Sequence, residues 1–330
     1  MKLIFSFILS FLLTAYVIPI LRILAFKFNI LDIPNGSIKI HKTPTPYLGG
    51  VGVYFGFITA LGMTLPFENT IFLFLIGSTM LLFIGLVDDL ITMSPGQKFF
   101  GQMLAAFCFL KAGFYLKYGF FCNNFWSFPI SFLWILIIIN SFNLIDIMDG
   151  LATTVACCAT VSFIFIAAYL GDYSVLILLL AFLGALLGFL LYNKPDAKIY
   201  LGDAGALFIG GFLAIVPFLF DWGAFNPHGY LTPVIILAIP LIEVGTLIVI
   251  RTYKKIPFYR GSPDHFAIYL QKRDWSKKKV LFYSVFMAIV LLIVAFLFFI
   301  NKLSILSLFG LAAIFLIFWY IILFYKKPVF

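Results

Sequence analysis

Apolar residues run in long uninterrupted stretches along this chain, and almost all of its acids sit where such a stretch ends. A run of about 17 to 25 apolar residues is long enough to cross a bilayer as a helix. Eleven such runs are present, at 3–26, 49–66, 70–87, 98–117, 129–145, 151–170, 174–192, 204–220, 230–250, 280–300 and 303–325. They predict an all-α polytopic membrane protein with one membrane-embedded domain over 1–330, its last two helices lying within 280–330. The run after Lys2 lacks a small-x-small cleavage site and continues through Tyr16 and Pro19 to Arg22 and Lys27. It therefore reads as the first helix rather than as a cleaved signal.

The connections fall into two classes. Those after odd-numbered helices span 27–48, 88–97, 146–150, 193–203 and 251–279, and those after even-numbered helices span 67–69, 118–128, 171–173, 221–229 and 301–302. Of 22 Lys and Arg residues, only Lys2, Lys111, Lys117 and Lys302 fall on the even side. The positive-inside rule then predicts cytoplasmic odd loops, an outside N-terminus and a cytoplasmic C-terminus. Every polar cluster described below belongs to the predicted cytoplasmic face.

Composition agrees with a membrane protein: 64% of residues are hydrophobic and 11% charged, with a mean hydropathy of +1.14, where a soluble domain is about a quarter charged. The net charge of +9 is shared among short loops, which suits anionic lipid or phosphate and argues against nucleic acid. The four cysteines (Cys108, Cys122, Cys157 and Cys158) have no paired metal spacing and read as ordinary thiols. The pairs Gly52/Gly56 and Gly184/Gly188 suit close helix packing.

Carboxylates and carboxamides beside hydrocarbon are costly, so each cluster calls for a partner, a wet pocket or a metal. Asp88 and Asp89 close the third run; they read either as a solvated helix end or as a base and divalent-cation site. Lys98 and Gln102 are spaced to share a face at the start of the fourth helix, where Lys98 either holds a phosphate or snorkels to the interface. Asn140, Asn143, Asp146 and Asp149 recur every third residue before Gly150. On a continuous helix each step is about 300°, a drifting stripe from which all four could line one groove, offering carboxamides to a uracil edge or oxygens to Mg²⁺.

Asp203, in Gly202-Asp203-Ala204-Gly205, follows Asn193 and Lys198; it reads as a helix N-cap or as a metal ligand. The basic loop 251–279 carries Arg251, Arg260, Asp264, His265 and Arg273, enough cations for an anion pocket. Glu243 lies eight residues before Arg251, about 12 Å into the bilayer at ~1.5 Å per residue. No Walker A loop, Gly-x-Gly-x-x-Gly or His-Glu-x-x-His is present.

Together these motifs resemble the polyprenyl-phosphate N-acetylhexosamine-1-phosphate transferases, a family that includes the GlcNAc-1-phosphate transferases and the phospho-MurNAc-pentapeptide translocases. The matching pieces occur in family order within 32–270. They are Asp32-x-Pro34-Asn35, His41-x-x-Pro44-Thr45-Pro46-x-x-Gly49-Gly50, Asp88-Asp89, Ser94-Pro95-x-x-Lys98-x-x-x-Gln102, the Asn140-to-Gly150 run, and Asn193 to Gly202-Asp203-x-Gly205.

The resemblance implies transfer of a sugar-1-phosphate, GlcNAc-1-phosphate first, from a UDP-N-acetylhexosamine to a polyprenyl phosphate lipid such as undecaprenyl phosphate, with release of UMP. It implies Mg²⁺ (Mn²⁺ as the alternative) and a cytoplasmic-face site in a bacterial plasma (inner) membrane. The product would start a cell-envelope glycan such as lipopolysaccharide or teichoic acid, and a homodimer is one assembly open to it. By motif position, Asn143 and Asp203 resemble the metal ligands, Lys98 the diphosphate-holding lysine, and Asp88 and Asp89 the acidic pair at the acceptor phosphate. Asp146 and Asp149 resemble the uridine readers, and Arg260, Asp264 and His265 the histidine loop near sugar and phosphates. Asn140, Asn193, Lys198 and His41 complete the substrate-binding candidates.

The chain departs from the family pattern at Ile147, where the family often has Gly, and at Glu243, where it has Asp. Phe266, Ala267 and Ile268 follow His265 where the family has further histidines. That loop argues against a MurNAc-pentapeptide substrate, and the Asp32-to-Gly50 segment looks more like the GlcNAc branch. The alternatives are the same reaction with another UDP-N-acetylhexosamine or UDP-MurNAc-pentapeptide, an anionic-solute secondary transporter, and an inactive lipid-binding scaffold.

Overall fold

The computed structural model describes residues 1–32, 44–66, 69–117, 124–257 and 262–324, so His41 and Arg260 lie outside the described residues. The helices are α1 (Lys2–Lys27), α2 (Gly49–Thr64), α3 (Asn69–Ile91), α4 (Pro95–Lys111), α5 (Asn124–Ile145), α6 (Leu151–Leu170), α7 (Tyr173–Asn193) and α8 (Gly202–Ile215). They continue with α9 (Thr232–Ile236), α10 (Ala238–Tyr253), α11 (Phe266–Gln271), α12 (Lys277–Phe299) and α13 (Ile305–Phe324). One antiparallel ladder joins β1 (Leu31–Asp32) to β2 (Thr45–Pro46), with Leu31 opposite Pro46 and Asp32 opposite Thr45.

The architecture is that of a multi-pass membrane protein. Among the described residues, seven helices are long and apolar enough to cross a bilayer, or eight if the bent pair at 229–253 counts as one span. The sequence predicts a single helix over 230–250; the chain instead turns by 72° between Gly229–Ile236 and Ala238–Tyr253. The run at 49–66 forms a shorter apolar helix. With 16 residues, α2 reaches about 24 Å at ~1.5 Å per residue, less than a hydrocarbon core of about 30 Å.

Helix α1 shows how burial is arranged when lipid surrounds the fold. Its buried positions are Ser6, Ser10, Thr14, Ile18 and Ala25, while Ile4, Phe5, Ile8, Leu12, Tyr16 and Ile23 are exposed. This inverts a soluble amphipathic helix: small and polar residues face neighbours because lipid tails are as apolar as leucine. The glycine pairs serve that packing. A Cβ on Gly184 would lie 2.4 Å from Phe7 O, one on Gly188 2.6 Å from Phe11 O, and one on Gly56 2.0 Å from Thr14 Oγ1, so α1 lies backbone-close to α7 and α2.

Helix α8 is the centre. Every residue from Ala204 to Ile215 is buried, as expected of a helix that is apolar all round. Around it, Phe182 and Phe212 stack at 3.9 Å, with Phe57 edge-on to both. The central helix thus has a fixed N-terminus, and the candidate residues Asp88, Lys98, Asn143 and Asp203 gather there. Cys108, Cys157 and Cys158 are free thiols.

Candidate functional site at the N-terminus of helix α8

Four elements bring their polar residues to one place: the end of α3, the start of α4, the end of α5 and the start of α8. Local sequence fixes the α3–α4 corner. Ser94 caps α4, accepting from Gln97 N while the Gln97 side chain accepts from Ser94 N at 3.0 Å, and Pro95 occupies the first turn. Asp88 Oδ1 accepts from Met93 N at 2.6 Å, closing the turn from the other side. Lys98 then stands one turn into α4.

The Lys98 ammonium is held by three oxygens. Asp88 Oδ2 lies at 2.9 Å, Asn143 Oδ1 at 3.2 Å, and Asp203 Oδ2 closes the set as a short ion pair. Asn143 in turn donates through Nδ2 to Asp203 Oδ1 at 2.6 Å. Residues from three other stretches of sequence therefore share the one cation of Lys98. Gln102, one turn beyond Lys98, is buried and accepts from Asn140 Nδ2 at 2.8 Å, so Asn140 sits one turn deeper and serves the α4–α5 contact.

Asp203 is not the cap of its own helix. Leu201 occupies the cap position without a side-chain bond, and the first turn is served from α3: Asp89 Oδ1 accepts from Asp203 N at 2.9 Å and Oδ2 from Ala204 N at 3.2 Å. The glycine motifs support this approach. Gly49 N and Gly50 N donate to Tyr200 O and Leu201 O at 3.0 and 2.9 Å, and a Cβ on Gly50 would lie 2.1 Å from Gly205 N. The 45–50 segment is thereby packed against the turn that presents Asp203.

The groove of four residues expected from the Asn/Asp run is divided. Helix α5 stops at Ile145, and Gly150, at φ +73, starts α6. Asn140 and Asn143 are helical, whereas Asp146 and Asp149 lie in the turn between the two helices. The start of α6 is held by tertiary contact: the buried Asn193 accepts from Gly150 N at 3.1 Å and Thr153 Oγ1 at 3.2 Å, and donates to Ile199 O at 3.0 Å. Asp146 faces an acidic neighbourhood; burial first, then the charges of Asp203, Asp89 and Asp149, push its carboxyl well above the usual range. Such a place favours a bound cation or hydrogen-bond donors. Asp149 Oδ2 accepts from Ala197 N at 3.3 Å and Lys277 Nζ at 2.7 Å. Lys198 is exposed on the neighbouring turn.

A second cluster surrounds α11. His265 Nδ1 is 2.9 Å from Glu243 Oε1, which also accepts from Phe266 N at 3.3 Å. Asp264 Oδ1 accepts from Lys254 Nζ and Tyr269 Oη, both at 2.7 Å. Burial alone would raise the Asp264 carboxyl; hydrogen bonds from Lys254, Tyr269 and Ser262 outweigh it and hold the group below its usual range. Lys254, Tyr269 and Lys277 were not singled out from sequence. Only Lys277 carried a signal, as the first of three consecutive lysines opening α12.

The oxygens around Lys98 also suit a magnesium ion. Asp203, Asn143 and Asp88 are hard oxygen donors, and in place of a cation their oxygens already converge on an ammonium. Among the described residues no three His, Cys, Asp or Glu groups form an all-protein metal cage. Mg²⁺ takes one or two carboxylates and is otherwise held by water and substrate phosphate.

A multi-pass helical protein with an acid- and amide-lined site at its helix ends is the class that fold and site define. The chain belongs to glycosyl transferase family 4, whose model matches residues 71–220. It is 29% identical over 80% of its length to a Bacillus subtilis protein named as a probable undecaprenyl-phosphate N-acetylglucosaminyl 1-phosphate transferase, covering 76% of that protein. It is 33% identical over 78% of its length to an undecaprenyl-phosphate α-N-acetylglucosaminyl 1-phosphate transferase of Thermotoga maritima, covering 76% of it. A phospho-N-acetylmuramoyl-pentapeptide-transferase of Bacillus cytotoxicus is 33% identical over 65% of this chain, with 72% of that protein covered.

Proposed function

We propose that this protein transfers a sugar-1-phosphate from a UDP-sugar to undecaprenyl phosphate, giving undecaprenyl-diphosphate-sugar and UMP. The observation that carries the reading is the convergence of Asp88, Asn143 and Asp203 on the Lys98 ammonium at the end of the helices. A lipid-borne phosphate reaches a site there while its prenyl chain remains in hydrocarbon.

In the reaction, an oxygen of the acceptor phosphate attacks the β-phosphorus of the UDP-sugar. A P–O bond forms, the bond from the β-phosphorus to the bridging oxygen breaks, and UMP departs with that oxygen and its electron pair. Asp203 and Asn143 would hold Mg²⁺, with Asp88 beside them, and the ion would neutralise diphosphate charge. Lys98 adds a second positive charge to the diphosphate. Asp146 and Asp149 offer acceptors to the uridine ring, and Lys277 orients Asp149. Positioning and fixed charge supply most of the acceleration in phosphoryl transfer.

GlcNAc is the favoured sugar, since two of the relatives described above are named for it. His265 is followed by Phe266, Ala267 and Ile268, which supports the same choice. The reading includes eleven membrane-embedded segments with the site on the cytoplasmic face, supported by the distribution of Lys and Arg among the loops. The test is to incubate purified protein with undecaprenyl phosphate, Mg²⁺ and a panel of UDP-sugars while measuring UMP. Release with UDP-GlcNAc above the rest is expected; no release with any UDP-sugar overturns the proposal.

A further inference from the structure

Asp89 stands within the acidic motif, yet its carboxylate points differently from that of Asp88. Asp88 reaches Lys98 at 2.9 Å. Both oxygens of Asp89 are directed at the backbone of α8, one on Asp203 N and one on Ala204 N. The surroundings leave room for this arrangement and little else. One turn earlier on α3, a Cβ on Gly85 would stand 2.3 Å from Ala204 N, so the two backbones touch. Gly202 has φ +72, and a Cβ there would lie 2.6 Å from Asp89 Oδ2. Helix α8 has no side-chain cap of its own, so its first donors depend on α3.

We propose that Asp89 is a positioning residue: by capping α8 across the helix interface, it holds the Asp203 carboxylate where the reaction's cation binds. The reason is geometric. The Asp203 side chain leaves the same residue whose N–H Asp89 grips, so a tilt of the first turn of α8 moves the Asp203 oxygens away from Asn143 and Lys98. A carboxylate engaged by two backbone donors is also poorly placed to take a proton from an acceptor phosphate. This inference rests on the magnesium-dependent transfer proposed above.

The test uses the full chain purified in detergent, comparing the wild type with Asp89→Asn and Gly202→Ala. Three quantities are read: the Mg²⁺ concentration for half-maximal UMP release against kcat at saturating Mg²⁺, the affinity for Mn²⁺ by electron paramagnetic resonance, and hydrogen exchange of the peptide over 201–206. Asp89→Asn is expected to weaken Mg²⁺ and Mn²⁺ dependence by about tenfold or more, the scale on which loss of a supporting hydrogen bond weakens a metal site. Exchange at the start of α8 accelerates, and kcat largely recovers at saturating metal. Gly202→Ala should reproduce the pattern with Asp89 intact, and it decides the question if the Asn variant does not fold.

Loss of kcat at saturating Mg²⁺, with Mn²⁺ affinity and exchange unchanged, overturns the proposal and makes Asp89 a direct participant. If the wild type releases no UMP, the transferase reading fails instead. The exchange comparison still separates a capping from a non-capping Asp89.

Discussion

Glu243 Oε1 and His265 Nδ1 meet at 2.9 Å with both side chains buried, joining α10 to the cap of α11. The same oxygen accepts from Phe266 N, while Oε2 is buried without a hydrogen-bond partner among the described residues. The single carboxylate therefore sets the start of α11. Glu243→Leu strands the His265 ring nitrogen and the Phe266 N–H, and should lower stability by about 1–3 kcal/mol. Thermal unfolding of the detergent-solubilised protein measures this; an unchanged midpoint would show that the pair is dispensable.

Lys98 is expected to be the most sensitive side chain. Replacing it with Met leaves Asp88, Asn143 and Asp203 without their shared cation and removes one charge from the diphosphate site. UMP release should fall by roughly 10²- to 10³-fold, the usual effect of deleting one electrostatic stabiliser. Arginine should restore little, because a planar fork cannot replace a compact ammonium inside that set of oxygens.

Metal removal gives a separate check. Chelation should stop UMP release and added Mg²⁺ should restore it, with Mn²⁺ acting as a substitute. Asn143→Ala should shift the half-maximal Mg²⁺ concentration upward by about tenfold. Activity that survives prolonged chelation refutes this assignment of Asn143 and Asp203.

The Asp149–Lys277 contact makes a smaller prediction. Lys277 is partly exposed (40%) and its partner is buried, so the pair is worth about 0.2–1 kcal/mol. Lys277→Met should therefore raise KM for the UDP-sugar about two- to fivefold with kcat nearly unchanged, the pattern of lost uniform binding. A fall in kcat at constant KM would place Lys277 at the reacting phosphates.

Asp264 links stability to pH. Its pKa in the folded protein lies below the ordinary 3.8, so the ionised form is the better-bound one. The stability it contributes is present above the unfolded pKa and is lost as pH falls through the folded one. Asp264→Asn should unfold at lower temperature than the wild type at pH 7, and the difference should shrink once pH drops below 3.8. A constant difference down to acid pH would show that the carboxylate contributes through packing rather than charge.

The sequence by itself determined the membrane class, the helical runs and the residue types of the site. Hydrocarbon leaves helices as the economical way to satisfy backbone groups, and it makes each polar residue at a run's end conspicuous. The corner at Ser94-Pro95 was also written locally, as a cap three residues before its partner Gln97. The end of α5 at Ile145 coincides with the end of the fifth apolar run; the break at 237 was not written locally, because the sequence there reads as one continuous apolar run. Asn193, more than forty residues away, holds Gly150.

Only the tertiary structure separated the roles of two adjacent aspartates. On a helix, consecutive residues point about 100° apart, so Asp88 turns to Lys98 while Asp89 turns to the first amides of α8. It likewise explained Gly49-Gly50, whose backbone must lie against Tyr200, Leu201 and Gly205. Sequence records which groups are present; which of them share a cation depends on helices packing in three dimensions.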